Sequence, residues 1–209
     1  MKTKTIALID YGMGNLKSVE NAFLKVCDHK VVVTNNPHQI IESDMILLPG
    51  VGAFPDAMRQ LHNLELVPVL NEAVQVLRKP TLGICLGMQL LWEVSYEKQR
   101  TDGLGWIPGE VRLIEGSANL RVPHVGWNSL VVSPNDTFFN FLKQDRDYYF
   151  VHSYHVECDP RYVLAEFDYG KRMVAAIKNG NVIGMQFHPE KSQKTGLQAL
   201  RAFVDWADQ

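Results

Sequence analysis

Four short apolar runs, residues 5–10, 31–34, 45–48 and 81–85, most constrain what this chain can become. Each reads as a strand, and segments with helical spacing lie among them. Leu16, Val19, Phe23 and Val26 recur at helical intervals within 15–26, and the same spacing marks 68–77 and 87–96. Strands alternating with helices predict a mostly parallel sheet with helices on both faces. The rhythm changes after residue 103. Strand-like runs at 110–114, 129–132, 148–151, 163–167, 173–177 and 182–187 are separated by Pro, Gly and Asn-Asp signals, and "KNGN" at 178–181 marks a hairpin. Several of these runs suit antiparallel pairing. A closing helix is expected over 195–206, with Leu197, Leu200, Phe203 and Val204 on one face. No repeat, linker or low-complexity stretch interrupts the pattern, so 1–209 is expected to form one α/β domain.

Composition narrows the partners. Of the 209 residues, 46% are hydrophobic, enough for one sizeable core. Lys and Arg number 21 against 23 acidic residues, with no basic run, so nucleic acid is not the expected partner. No stretch approaches the roughly 18 apolar residues of a membrane span. The apolar run 6–9 is too short for a signal-peptide core. Three cysteines at irregular spacing make no disulfide framework and suit a reducing compartment. A cytoplasmic protein is expected, in which the Asn-Asp-Thr sequon at Asn135 is an accident of composition.

The chemistry-bearing stretch is "PTLGICLGMQLLW" (80–92). Cys85 falls at the carboxyl end of an apolar strand, where open α/β sheets build their sites. Gly83 and Gly87 flank it as glycines flank the serine of a G-x-S-x-G elbow. A helix starting after Cys85 would aim its free N–H groups and positive dipole end at the sulfur, which favours thiolate. The Leu86 N–H is placed to meet a developing oxyanion. The competing reading is a buried apolar cysteine, a common fate of free thiols.

A thiol nucleophile requires a base, and the base an orienting group. His188 in "GMQFHPEK" follows an apolar strand, and Glu190, two positions on, shares its face in an extended chain. A carboxylate there would hold the imidazole tautomer; the alternative is an ion pair in an exposed loop. The rival base lies in "YYFVHSYHVEC". On a single strand His152 and His155 point to opposite faces, and neither H-E-x-x-H nor a paired C-x-x-C is present, so no metal site is expected. His152 reads as a structural or site-lining residue. "PGVGAF" (49–54) could cup an anion with backbone N–H groups, yet lacks the P-loop pattern. "DYGMGNL" (10–16) is followed by Lys17 where a dinucleotide fingerprint needs its third glycine.

"PGVGAF", "GICLGMQLL" and "FHPEKS", in that order, resemble the class I, triad-type glutamine amidotransferases. "DYGMGN", "PHVGWN" (123–128) and "YYFVHSY" narrow the resemblance to HisH-type glutaminase subunits of imidazole glycerol phosphate synthase, over essentially the whole chain. The resemblance implies a flavodoxin-like fold: an open mixed, mostly parallel sheet with an antiparallel C-terminal extension. It implies Cys85 as nucleophile, His188 as proton shuttle and Glu190 as its orienting group. Leu86 and the Val51-Gly52 loop would form the oxyanion hole, and Gly52 and Gln89 would help hold substrate glutamine. It implies no cofactor and no metal. Its partner would be a (β/α)₈-barrel cyclase that receives ammonia and converts the ribulosyl phosphate PRFAR to imidazole glycerol phosphate and AICAR. Asn15, Trp127, Tyr149 and Lys191 sit in motifs that face that partner. Three alternatives stay open: a paralogue supplying ammonia for surface-sugar modification, a stand-alone γ-glutamyl cysteine hydrolase, and a non-catalytic regulatory subunit.

Overall fold

The structure, a computed structural model, describes residues 3–116, 120–133, 138–139 and 147–209. Asn135 lies outside the described residues. The first half alternates as the sequence predicts: β1 (Thr5–Ile9), α1 (Leu16–Phe23), β2 (Lys30–Thr34), α2 (Pro37–Glu42), β3 (Met45–Gly50), α3 (Phe54–Asn63), α4 (Leu66–Asn71) and β4 (Thr81–Cys85). A π-helical turn over Glu72–Val76 extends α4, so 68–77 is helical in two geometries. The elements α2 and α3 were not among the expected ones. Asn36 caps α2 by accepting the His38 and Gln39 N–H groups, with Pro37 at its first turn.

After β4 the chain departs from expectation. The helix read over 87–96 is a single turn, α5 (Leu86–Gln89), followed by β5 (Trp92–Ser95). In "LLWEVSY" the apolar residues fit a helix at 90, 91 and 94 and equally a strand at 92, 94 and 96, so their spacing does not decide between the two. Trp92 and Val94 turn inward while Glu93 is exposed, and the segment pairs with β6 (Thr101–Asp102) and β7 (Ile107–Leu113). Next come β8 (His124–Ser129), β9 (Val131–Val132), β10 (Asp147–His152), β11 (Tyr154–Cys158), β12 (Val163–Tyr169), β13 (Lys171–Asn179), β14 (Val182–Met185) and α6 (Gln193–Ala207). The run 129–132, expected as one strand, is divided between β8 and β9, which belong to different sheets.

The main sheet has eight strands in the order β2-β1-β3-β4-β14-β13-β12-β9. From β2 to β14 neighbours are parallel, and β13, β12 and β9 extend the sheet antiparallel. Alternate residues supply its two faces. Ile6 and Leu8 join a core with Phe23, Phe187 and Phe203 beneath α1 and α6, while Ala7 and Ile9 face Phe54, Leu61 and Leu70. A four-stranded sheet, β11-β7-β5-β6, extends the second core, and β8 with β10 forms a two-stranded ribbon. The helix α6 buries Leu200, Phe203 and Val204, with Leu197 partly buried, so the closing helix has its expected face. "KNGN" turns β13 into β14 through Gly180-Asn181, with Gly180 at φ +57°.

Candidate active site

Strand order creates the site. The register pairs Gly50 with Cys85 across β3 and β4, and Met185 with Ile84 across β14 and β4. The carboxyl ends of three adjacent strands therefore present the glycine loop, Cys85 and the segment leading to His188 side by side. Separation along the chain disappears because β4 lies between β3 and β14.

Cys85 sits in an elbow at φ +54°, ψ −110°, a conformation that non-glycine residues avoid and that persists at functional sites. The flanking glycines make the bend possible. A Cβ on Gly87 would overlap the Leu48 carbonyl, and one on Gly83 would lie 2.8 Å from the Gly87 oxygen. Because α5 is only one turn, the groups near the sulfur are local N–H donors, not the end of a long dipole. Cys85 is 6% exposed. Its Sγ lies 3.9 Å from the Val151 carbonyl and 3.8 Å from Gln186 Nε2.

His188 Nδ1 and Glu190 Oε1 are 2.8 Å apart, both side chains buried. The pair closes across a 3₁₀ turn, Pro189–Lys191, rather than along the extended face read from sequence. With Nδ1–H donating to the carboxylate, Nε2 is the nitrogen left to exchange a proton with the sulfur. That nitrogen is buried without a hydrogen bond of good geometry, and so is Glu190 Oε2. Burial works against the imidazolium, but the Cys85 sulfur and the Glu190 carboxylate prevail and push His188 up to about 10. Ser192, fully buried, fixes this turn: its hydroxyl donates to His188 O at 2.6 Å and accepts from Tyr149 N–H at 2.9 Å. His188 N–H in turn donates to Tyr149 O at 2.9 Å.

His152 reaches the same cavity, but its nitrogens are engaged. His152 and His155 lie on successive strands, β10 and β11, rather than on one. The Tyr154 carbonyl, 2.8 Å from His152 Nδ1, must receive its N–H. Nε2 is then an acceptor, and His124 Nδ1–H donates to it over 3.2 Å. Burial pushes His124 down to about 4, and burial with neighbouring imidazoles pushes His152 down to about 3. A neutral imidazole with both nitrogens occupied cannot serve as the base. Among the described residues, no group of three or more His, Cys, Asp or Glu could hold a metal ion.

A cavity of about 320 Å³ opens over the sulfur, the size of a small-ligand site. Val51, Gly52, Leu86, Gln89, His152 and His188 line it with Cys85. Sequence reasoning missed Glu97, Ser153 and Tyr154 on the same wall. It also missed how the glycine loop is held. The Tyr11 hydroxyl donates to Pro49 O at 2.7 Å, and Glu97 Oε2 accepts Phe54 N–H at 2.7 Å. Between these anchors Val51 is exposed and Gly52 adopts φ +103°. Gln89 spends both amide hydrogens inside the protein, on Tyr154 O and Gln186 Oε1, leaving only its oxygen for a ligand. Of the residues placed at the partner face, Trp127 and Tyr149 pair in register with rings 6.0 Å apart, and Lys191 Nζ lies 5.9 Å from the Tyr149 ring. Asn15 caps α1, accepting Ser18 N–H.

An elbow cysteine facing a histidine–carboxylate pair at the strand ends of a doubly covered sheet is a hydrolase geometry. The profile of the family described as glutamine amidotransferase class-I matches residues 7–205, and the chain belongs to that family. "Imidazole glycerol phosphate synthase subunit HisH 2" of Vibrio vulnificus (strain YJ016) is 53% identical over 201 residues, 96% of this chain and 94% of the relative. The HisH subunit of Bacillus cereus (strain B4264) is 47% identical, covering 95% of this chain and 93% of its own length. Among solved structures, PurLQS from Thermotoga maritima superposes with a TM-score of 0.74 at 19% identity, covering 98% of this chain and 99% of the other. That likeness concerns the fold alone, and it agrees with the expected amidotransferase architecture.

Proposed function

We propose that this chain is the glutaminase subunit of an imidazole glycerol phosphate synthase, passing ammonia from glutamine to a (β/α)₈-barrel cyclase. Cys85 and His188 on one cavity, with Glu190 bonded to the far side of His188, carry the proposal, supported by HisH subunits at 53% and 47% identity. Residues 1–209 form one amidotransferase domain in this reading, working in the cytoplasm.

With the thiol proton held on His188 Nε2, the sulfur attacks the side-chain amide carbon of glutamine. Leu86 N–H and a backbone N–H of the Val51-Gly52 loop hold the oxyanion. Collapse breaks the C–N bond, and the proton returned from His188 makes the leaving group ammonia. Water, activated by the same imidazole, cleaves the γ-glutamyl thioester to glutamate and restores the thiol. Glu190 keeps His188 in the productive tautomer throughout. Glu97 offers the cavity a carboxylate for the substrate's ammonium, and Gln89 offers its amide oxygen. Asn15, Trp127, Tyr149 and Lys191 form the face toward the cyclase, and no cofactor takes part.

Glutamate release with and without a candidate cyclase and its ligand tests this, alongside Cys85→Ala. The alanine variant is expected to abolish glutamine-dependent turnover while the cyclase still works with ammonium salts. Glutamine-dependent turnover surviving in Cys85→Ala would sink the role given to Cys85. A second reading has the same cavity feed a different ammonia acceptor, since its lining residues are placed on glutamine and none on the acceptor. Gene neighbourhood separates the two, since a surface-polysaccharide cluster would displace the histidine pathway.

A further inference from the structure

Just past β14 a glutamine is buried completely in an otherwise apolar stretch. Gln186 has no exposed surface, and a buried amide persists only when its donors and acceptors are matched. Its side chain meets two others: Gln89 Nε2 at 3.0 Å from Gln186 Oε1, and Cys85 Sγ at 3.8 Å from Gln186 Nε2.

The orientation of both amides follows from one backbone atom. The Tyr154 carbonyl oxygen can only accept, so the Gln89 atom 3.0 Å away is nitrogen. That nitrogen also meets Gln186, so the Gln186 atom it meets is oxygen. The other end of the Gln186 amide, against the sulfur, is therefore an N–H donor.

Two contacts at the sulfur then oppose each other. The Val151 carbonyl, 3.9 Å away, accepts from S–H and suits the neutral thiol. The Gln186 N–H donates to sulfur and suits the thiolate. As the proton leaves for His188, the first contact is lost and the second becomes charge-assisted. An interaction that strengthens as charge develops accelerates the step in which it develops.

We propose that Gln186 is a positioning donor that holds the Cys85 sulfur in its attacking orientation and stabilises its anionic form, through an amide chain anchored on the Tyr154 carbonyl. The proposal rests on Cys85 being the nucleophile of the proposed reaction.

Gln186→Met keeps length and removes the donor; Gln186→Glu keeps shape and sets a carboxylate oxygen against the sulfur. Two measurements read the effect: glutamine turnover by the full chain with its cyclase, and the pH profile of iodoacetamide alkylation at Cys85, followed by mass of that peptide. Expected for Gln186→Met are a kcat about 10- to 100-fold lower, a KM within about twofold, and an alkylation profile moved to higher pH. Gln186→Glu is expected to exceed it in both readouts. Gln89→Met removes the anchor without touching Gln186, should move alkylation in the same direction, and serves if substitution at the buried position lowers the yield of folded chain. An unmoved alkylation profile in Gln186→Met, or in Gln89→Met where that variant stands in, overturns the proposal. Glutaminase turnover that survives Cys85→Ala would instead remove Cys85 as the nucleophile, and the proposal with it, whatever the alkylation profile shows.

Discussion

Two imidazoles line one cavity, and their hydrogen-bond partners alone give them different work. His188 donates through Nδ1 to a buried carboxylate and keeps Nε2 for the sulfur, whereas His152 gives one nitrogen to Tyr154 O and the other to His124. His188→Asn is therefore expected to lower glutamine-dependent kcat by about 10²–10⁴-fold. His152→Asn should cost less than about tenfold, and equal losses in the same glutamate-release assay would contradict this assignment. The second imidazole pair instead sets acid stability. The folded values of His124 and His152 lie below the unfolded value of 6.5, so below that pH the unfolded chain binds protons that the folded chain refuses. Stability should fall from pH 6.5 downward until their folded values near 4 and 3 are passed, by at most about 1.4 kcal/mol per pH unit for each histidine. His188 has the opposite sign: its contribution is complete below 6.5 and is lost as pH rises through about 10. Urea melts between pH 5 and pH 6.5, where carboxylates remain mostly ionised, should show a shallower slope in a His124→Gln, His152→Gln double variant.

The elbow is the element on which every side chain of the site depends. A Cβ on Gly87 would enter the Leu48 carbonyl on the neighbouring strand, and backbone cannot step aside as a side chain can. Gly87→Ala should destabilise the fold by about 3 kcal/mol or more, or shift the elbow enough to abolish turnover. Gly116→Ala, whose Cβ would meet its nearest neighbours at 3.5 Å, should stay within about 0.5 kcal/mol in the same melts. Alanine at 87 melting like alanine at 116 would mean that the elbow is not close-packed. This element was legible in sequence because glycine spacing is a local signal and the apolar run before it has strand length. The neighbouring segment misled for the converse reason. "LLWEVSY" places apolar residues at both helical and strand spacing, and pairing with β7, which follows later in the chain, decides for strand. Glu97 and Tyr11 escaped notice because each acts through one backbone atom that only folding brings near, and Ser192 because its hydroxyl links the His188 turn to Tyr149 N–H on a distant strand. Gln186 did leave a trace: it is the single polar side chain in the run 182–187.

At the scale of the whole molecule, the outward-facing aromatic cluster and His188 are both tied to one strand, β10. Tyr149 on β10 accepts His188 N–H through its carbonyl and meets Ser192 through its N–H, while its ring contacts Trp127 across the ribbon. Trp127 is 48% exposed and Val125 beside it 56%, large apolar surface at the end of the sheet where the cavity lies. A partner seated on the β8–β10 ribbon would press on the same backbone that orients His188, so docking and chemistry adjoin without any long path between them. Exposed tryptophan at the centre of such a face is the residue type that dominates binding energy. Trp127→Ala is expected to weaken association with the cyclase by about 2 kcal/mol or more, roughly thirtyfold in Kd. The isolated chain should keep its wild-type rate of Cys85 alkylation, because the Trp127 ring is not among the groups that line the cavity. Calorimetric titration of the two purified subunits reads the first effect and peptide mass the second. An unchanged Kd would move the partner to another face, and a lost alkylation rate would show that the ribbon supports the sulfur even without a partner.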